Sequence, residues 1–295
     1  METLQNSLRN TAHSLASREN HRLIYTTAAT AAVALLAYSR YCYVEWLALG
    51  EGGVPRSLRG WLFNVAAHLI ARRDPRAVPA PYERKKGKSE DHTIVLSASE
   101  EEQYGAYSRV SFLSTPIPVR GATRPTVPTT VVPQRQTTEK ARDATLARQN
   151  AYLAAVAAAN PRLFAMKPSA LESPRFSALW LLSPSDSQTQ GFEGVDPARV
   201  KWLPRGACGE TAHVHHEGST HVCMSLVDAA GIVRKGWGER HRMSGVQGIL
   251  PWGYVLVYAP REDGGDWEVW KEIALAAARA VAKCAGFDGE VVMPE

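Results

Sequence analysis

Histidines are concentrated in one part of this chain. Five of the nine histidines lie between positions 213 and 241. Imidazole has the side-chain pKa closest to neutrality, so several histidines that converge could transfer protons or hold a metal ion. We therefore expect the chemistry of the protein in this segment. The five residues are His213, His215, His216, His221 and His241.

A β-hairpin is the element that the sequence predicts for positioning three of them. Residues 210–215 and 219–224 are predicted strands, and the glycine-containing triplet between them is a predicted turn. With a three-residue loop, position 213 faces position 221 across the pair. His213, His215 and His221 then share one face of the sheet, whereas His216 is expected only in the loop.

Further elements flank the hairpin. The sequence predicts a helix over residues 139–159, a buried strand over 176–182, a short helix from 225 to about 235, strands over 237–242 and 252–259, and an amphipathic helix over 266–284. This order lacks the regular alternation of a parallel sheet. The predicted fold class is therefore α+β, with a mainly antiparallel sheet flanked by helices, preceded by an N-terminal membrane-anchor helix.

The anchor is predicted from an uncharged segment near the N-terminus. Residues 23–39 contain no charged side chain, and their seventeen residues reach the lower limit for a membrane span. We expect a tail over residues 1–22 and a transmembrane or membrane-anchor helix over 23–48. A buried or interfacial helix and a cleaved signal peptide are the alternatives. The expected location is a single-pass protein of the endoplasmic reticulum or another internal membrane, with its orientation open.

An amphipathic helix and a basic linker are predicted over residues 49–90, followed by a globular domain over 91–295. The helix, within residues 58–70, would lie at a membrane surface or pack on the core. Residues 1–90 hold thirteen Lys and Arg against seven Asp and Glu, whereas the remainder holds twenty-one against twenty-two. This distribution suits an anionic membrane as a partner and gives no basic stripe for nucleic acid.

Several enzyme classes lack support in the sequence. We find no nucleophile elbow, no phosphate-binding loop and no dinucleotide fingerprint. Hydrolase, kinase and nicotinamide-dependent activities are therefore not expected.

Three motifs together resemble a known family. Ala-His-Val-His at 212–215, Lys-Gly-Trp-Gly-Glu-Arg-His at 235–241 and Val-Tyr-Ala-Pro-Arg at 257–261 are similar to segments of the fungal luciferases and their luciferase-domain relatives. The resemblance extends in order over most of the chain. It implies that O₂ oxygenates a hydroxylated α-pyrone of the 3-hydroxyhispidin type, through a peroxide that loses CO₂. The loop after His215 is shorter than in luminous members, so a shared fold and oxygen chemistry are favoured over light emission.

The implied chemistry assigns roles to particular residues. An enol reacts slowly with O₂ until it is deprotonated, so an enzyme without a redox cofactor needs a base and a dry pocket. We expect no cofactor and no metal, with O₂ as the co-substrate and a hydroxypyrone as the substrate. His213 or His215 is the expected base. The predicted catalytic residues are His213, His215, His221, His241 and Arg240, and the predicted substrate-binding residues are Trp237, Tyr258, Arg261 and Glu210.

Two other functions remain open from the sequence. The first is a metal-dependent dioxygenase with His213, His215 and His221 as ligands, since His-x-His and a third histidine suit iron, zinc or manganese. Glu217 follows His215 too closely to be the carboxylate of a cupin-like site. The second is a non-catalytic, membrane-tethered binding or accessory protein. The oligomeric state is also left open.

Each site residue has a structural alternative as well. Trp237 lies between two glycines and would serve equally as a core residue. Arg240 and Arg261 would equally form ion pairs with neighbouring carboxylates.

Overall fold

The computed structural model describes residues 18–83, 97–121, 123–183, 195–201, 203–204, 207, 209–246, 249–262 and 265–294. Two compact units are present, Met1–Gly50 and Glu51–Glu295, and each is described by itself. Most of the predicted tail and the basic run of the predicted linker, residues 84–88, lie outside the described residues. The predicted domain boundaries remain predictions.

The described part of the first unit is a single long helix, α1, Arg18–Ala48. It contains the segment that the sequence predicted as an anchor. Among the helices of the described residues, however, none is both long and apolar enough to cross a membrane. The prediction of a transmembrane anchor is thereby corrected. The physical reason is composition, because residues 23–39 are mostly Ala, Thr and Tyr rather than the Leu, Ile, Val and Phe that hydrocarbon favours most.

The second unit is built on a six-stranded sheet. Its strands are β1 Phe164–Pro168, β2 Ser177–Leu181, β3 Glu210–Val214, β4 Thr220–Cys223, β5 Gly238–Arg240 and β6 Tyr254–Val257. Their order in the sheet is β1-β2-β3-β4-β6-β5, and every neighbouring pair is antiparallel. The predicted α+β class with an antiparallel sheet is confirmed, and β1 is a strand that the sequence analysis missed.

The hairpin of β3 and β4 has the predicted register. His213 pairs with His221, and the backbone N–H of His215 donates to the carbonyl of Ser219 at 2.8 Å. The turn requires glycine at Gly218, where φ is +94° and a Cβ atom would come within 2.4 Å of the Cβ of Ala141. The spacing of the three histidines is therefore set by the hairpin itself.

Five helices accompany the sheet in the second unit, within the described residues. They are α2 Leu58–Ala67, α3 Ala98–Tyr104, α4 Asp143–Ala159, α5 Leu226–Arg234 and α6 Asp266–Cys284. Ser225 caps α5 by accepting a hydrogen bond from the backbone N–H of Asp228, and α6 has its predicted bounds. Helix α4 begins later than predicted, because Glu139 has a φ of +52° that no α-helix contains.

The two faces of the sheet have different roles. Ala212, Val214 and Val222 pack in the main core with residues of α4 and α6 such as Leu153 and Ile273. Side chains alternate along a strand, so His213 and His221 project from the opposite face. That second face is also covered, and the histidines on it are buried.

Candidate active site

Four of the predicted histidines lie together on the second face of the sheet. The ring centroids of His213, His215 and His221 are 4.6 to 5.2 Å apart, and that of His241 lies 5.4 Å from His221. All four side chains are buried. We call His213, His215 and His221 the histidine cluster. His216 lies on the exposed side of the turn, as predicted.

A carboxylate that the sequence analysis missed completes the cluster. Oε1 of Glu172, in the connection between β1 and β2, lies 3.8 Å from Nε2 of His213 and 3.7 Å from Nε2 of His215. One potential ligand atom from Glu172 and one from each histidine of the cluster all lie within 4.8 Å of one another. No motif surrounds Glu172, so only the fold reveals its position.

Each histidine ring is oriented by a polar partner. Nδ1 of His213 lies 2.7 Å from the carboxylate of Glu210, which the sequence analysis predicted as a substrate-binding residue and which here contacts a histidine ring instead. Nδ1 of His215 lies 2.8 Å from the hydroxyl of Ser219. Nε2 of His221 lies 3.1 Å from the side-chain oxygen of Gln134. These contacts fix the rings and leave their other nitrogens to face inwards.

The ring of His241 is oriented by its own backbone turn. Its Nδ1 accepts a hydrogen bond from the backbone N–H of Met243 at 3.0 Å. The neutral ring therefore carries its proton on Nε2 and can donate from that atom.

A buried arginine holds the carboxylates beside the cluster. Nη2 of Arg135 donates to Oε2 of Glu172 at 2.6 Å, and its Nε lies 3.8 Å from Oε2 of Glu217. The Arg135 side chain is 2% exposed. The positive charge of Arg135 compensates the negative charge of Glu172, so it lowers the free-energy cost of burying that carboxylate.

Burial keeps the imidazoles neutral. Burial is the largest cause that holds the pKa of His215 well below its ordinary value, and the positive charge of Arg135 is the second. Burial, then the nearby His215, has the same effect on the pKa of His221. Burial lowers the pKa of His241 to about 3. At neutral pH these three rings are therefore neutral, with one unprotonated nitrogen each, rather than imidazolium ions.

An apolar cavity of about 390 Å³ ends at the cluster. His221, His241 and Glu172 contribute to its lining, and Phe63 and Ala66 of α2 form part of its wall. The remaining lining is mainly aliphatic and aromatic, and it includes Val132, Leu171, Met243, Leu250 and Tyr254. The site therefore joins a polar, buried centre to a mainly apolar space of the size of a small molecule.

The motif at residues 235–241 contains three predicted site residues. His241 lines the cavity, whereas Trp237 and Arg240 do not. Nε of Arg240 donates to the carbonyl of Ala77 at 2.9 Å, and its guanidinium lies over the ring of Tyr82. The indole N–H of Trp237 donates to the carbonyl of Pro118 at 2.7 Å. Both residues hold neighbouring chain segments in place. Trp237 is buried in the core, which corresponds to its structural alternative. Arg240 donates to backbone carbonyls rather than to the carboxylate of the predicted ion pair.

Tyr258 and Arg261 also make structural contacts outside the lining. The hydroxyl of Tyr258 donates to Glu239 at 3.0 Å, and Arg261 donates twice to Asp266, at 2.8 and 2.9 Å. The structure thus brings together the predicted histidines and Glu210, but not Trp237, Arg240, Tyr258 or Arg261. Roles for these four at a substrate remain predictions that this geometry does not support.

Comparisons with known proteins match the part of the chain that carries the cluster. Residues 209–277 match the Luciferase domain family model. Luciferases of Armillaria gallica, Armillaria mellea and Armillaria ostoyae are each 38% identical to this chain over 58 residues. The aligned segment covers 18% of this chain and 21% of each relative, so the chain matches about a fifth of their length. No solved structure matches the chain. The resemblance to luciferase-domain proteins is confirmed for this region.

Proposed function

We propose that this luciferase-domain chain is an oxygenase that adds O₂ to a hydroxylated α-pyrone of the 3-hydroxyhispidin type. One observation carries the proposal: a buried set of three histidines and a carboxylate lies beside an apolar cavity. The similarity to the Armillaria luciferases supports the reaction class.

The cavity suits such a substrate in size and polarity. Its volume of about 390 Å³ lies within the usual range for small-molecule sites, about 300 to 1,000 Å³. Apolar side chains such as Phe63, Leu250 and Tyr254 would contact the flat ring system. The polar end would then receive the enol and carbonyl oxygens.

The polar end supplies what an enol needs before it reacts with O₂. When no metal ion is bound, an enol that docks against His221 and Glu172 would lose its proton to the cluster, and the resulting enolate would be the electron-rich form that O₂ attacks. Nε2–H of His241 would donate a hydrogen bond to a substrate oxygen. The substrate gains O₂ and then loses CO₂, so the pyrone itself is the reductant and no external electron donor is required.

A second function for the same site is a metal-dependent dioxygenase. The position of Glu172 favours it, because three histidines and one carboxylate form a familiar set of ligands for iron, manganese or zinc. Both functions use the same cavity and consume O₂.

The proposal is tested by O₂ uptake and CO₂ release with a matched pair of pyrones. We expect the purified chain to consume O₂ with a styrylpyrone that carries the enolic 3-hydroxyl group. The same pyrone without that hydroxyl should give no uptake, because it cannot form the enolate. Light emission recorded in parallel would show whether the product forms in an excited state. If both pyrones raise the thermal unfolding midpoint and neither supports O₂ uptake, the chain is a binding protein and the proposal fails.

A further inference from the structure

We propose that the histidine cluster and Glu172 bind one divalent first-row transition-metal ion, through Nε2 of His213, Nε2 of His215, Nδ1 of His221 and Oε1 of Glu172. Binding of the ion follows from the geometry of the cluster. Only its use in oxygenation rests on the proposed function.

The first lone pair comes from His213. Its Nδ1 lies 2.7 Å from Oε1 of Glu210, and that carboxylate also accepts hydrogen bonds from the hydroxyl of Ser169 and the backbone N–H of Ala170. A carboxylate oriented in this way acts only as an acceptor, so Nδ1 is the ring nitrogen of His213 that carries a proton and donates it. Nε2 of His213 therefore presents a bare lone pair.

The second lone pair comes from His215. The hydroxyl of Ser219 donates its hydrogen to Glu217, so its oxygen must accept from Nδ1 of His215. Nε2 of His215 is again without a proton. This atom is buried and has no hydrogen-bond partner among the described residues.

The third lone pair comes from His221. The amide nitrogen of Gln134 donates to Oε1 of Glu239 at 3.2 Å and to the carbonyl of Arg240 at 3.1 Å. This fixes the amide, so its oxygen faces Nε2 of His221 and accepts the ring proton. Nδ1 of His221 is then the unprotonated nitrogen, 3.2 Å from Nε2 of His213.

Three lone pairs and a carboxylate oxygen thus face one another with no hydrogen between them. Such an arrangement is repulsive unless a cation lies at its centre. A proton shared by His213 and His221 would satisfy one pair of atoms and leave Nε2 of His215 unpartnered. A metal ion satisfies all four ligand atoms at once.

The distances fit a first-row ion. Three of the six separations between the ligand atoms are 3.2, 3.7 and 3.8 Å, and one ligand atom from each of the four residues lies within 4.8 Å of all the others. Neighbours bound at about 2.0 to 2.2 Å are about 3.0 to 3.5 Å apart, so the four side chains need to move inwards only slightly around an ion. Imidazole and carboxylate ligands suit zinc, iron or manganese, whereas calcium and magnesium prefer oxygen ligands.

The surroundings also match those of a metal centre. Metal-bound histidines usually donate their second ring N–H to a carboxylate or another acceptor, and Glu210, Ser219 and Gln134 accept such bonds here. Arg135 donates to both oxygens of Glu172, to Oε2 at 2.6 Å and to Oε1 at 3.2 Å, and so fixes the carboxylate with Oε1 next to the histidines. A carboxylate oxygen has a second lone pair, which Oε1 can give to an ion. Because His221 and Glu172 also line the cavity, a ligand there could reach the ion.

The test begins with elemental analysis of the full chain, purified without a polyhistidine tag or chelator. We expect one transition-metal ion per chain. After removal of the ion, titration with Co²⁺ should produce its visible ligand-field bands, saturate at one ion per chain and raise the thermal unfolding midpoint.

Adjacent histidines provide the matched controls. His215→Gln should abolish the Co²⁺ bands, whereas His216→Gln, at an exposed position in the same turn, should retain them. Glu210→Gln should keep all four ligands but bind Co²⁺ about 10- to 100-fold more weakly, because the negatively charged acceptor of the His213 ring is replaced by a neutral amide. Circular dichroism would verify that each variant is folded.

The outcomes separate this inference from the proposed function. Folded wild-type protein that contains no ion and gives no Co²⁺ bands would overturn the metal site, as would Co²⁺ bands that persist in His215→Gln. Oxygen uptake by ion-free protein would support the proposed function and remove the ion from it. A bound ion without O₂ uptake would leave the metal site standing and contradict only the oxygenase.

Discussion

His213, His215 and His221 each turn one unprotonated ring nitrogen towards the same point, because an acceptor holds the proton of the other nitrogen. Those acceptors determine which ring nitrogen is protonated and which is left to bind or react. Without Glu210, for example, the ring of His213 could rotate or exchange its proton between nitrogens. The reactivity of the site is thus a property of paired residues rather than of single histidines.

Charged residues outside the cluster have a structural role, and Asp266 is the clearest case. Its carboxylate accepts two hydrogen bonds from Arg261 and lies 3.3 Å from Nε of Arg120. Burial favours the neutral acid, but Arg261 and Arg120 outweigh it and lower the pKa of Asp266 below its ordinary value. Arg261, which was predicted to bind the substrate, instead forms an ion pair with Asp266, the first residue of α6.

We expect Asp266→Asn to lower the free energy of unfolding at pH 7 by about 2 kcal/mol. This is less than the about 3 to 5 kcal/mol typical of a broken buried ion pair, because Arg261 is partly exposed and Arg120 keeps Glu139. The folded-state pKa is depressed, so the stabilisation is present above the unfolded-state pKa of about 3.9 and is lost as the pH falls through the folded-state pKa. Urea unfolding of both proteins at pH 7 and pH 3 would measure it.

A matched control is Asp288→Asn, which removes an exposed ion pair with Lys283. Exposed pairs contribute little, so this variant should unfold much like wild type. Equal effects of Asp266→Asn and Asp288→Asn at pH 7 would contradict the structural role of Asp266.

Among the elements, those with strong local signals were predictable. The hairpin register followed from the loop length and the turn glycine, and α5 and α6 followed from a capping serine and an apolar periodicity. Strand β1 was missed because its five residues end in Lys167 and Pro168 and resemble a loop. Helix α1 was predicted as a helix, but a count of uncharged residues overstated how apolar it is.

Helix α2 is the element that shapes access to the cavity, since Phe63 and Ala66 form part of its wall. We expect Ala66→Trp to fill part of the cavity and raise the KM for the hydroxypyrone at least about tenfold, which corresponds to about 1.4 kcal/mol of lost binding. Steady-state O₂ uptake would measure it. Val65 is exposed on the same helix and does not belong to the lining, so Val65→Trp should leave KM close to that of wild type. A similar rise in both variants would mean that the cavity is not the substrate site.

At the scale of the whole second unit, the fold assembles the site from distant parts of the chain. Gln134, Arg135 and Glu172 come from segments far upstream of the hairpin, yet each contacts a histidine of the cluster or the carboxylate beside it. Sequence spacing could place three histidines on one face, since they belong to one hairpin. It could not place Glu172, because that contact depends on how the β1–β2 connection packs over the sheet.

The same limit explains the predicted residues that lie elsewhere. Arg240 and Tyr258 are close to the histidines in sequence, but their side chains contact Ala77 and Glu239 instead. Proximity in sequence therefore identified the region of the site, whereas tertiary packing selected its members.

We propose that the enolic pyrone reacts with O₂ at the buried histidine cluster beside the cavity. This proposal is tested most directly by the rate of O₂ uptake with a 3-hydroxylated styrylpyrone in the neighbouring variants His215→Gln and His216→Gln. We expect the first to lose at least about 100-fold in rate, the usual effect of removing a group that acts on the transferred proton, and the second to match wild type. Full uptake by folded His215→Gln would contradict the account.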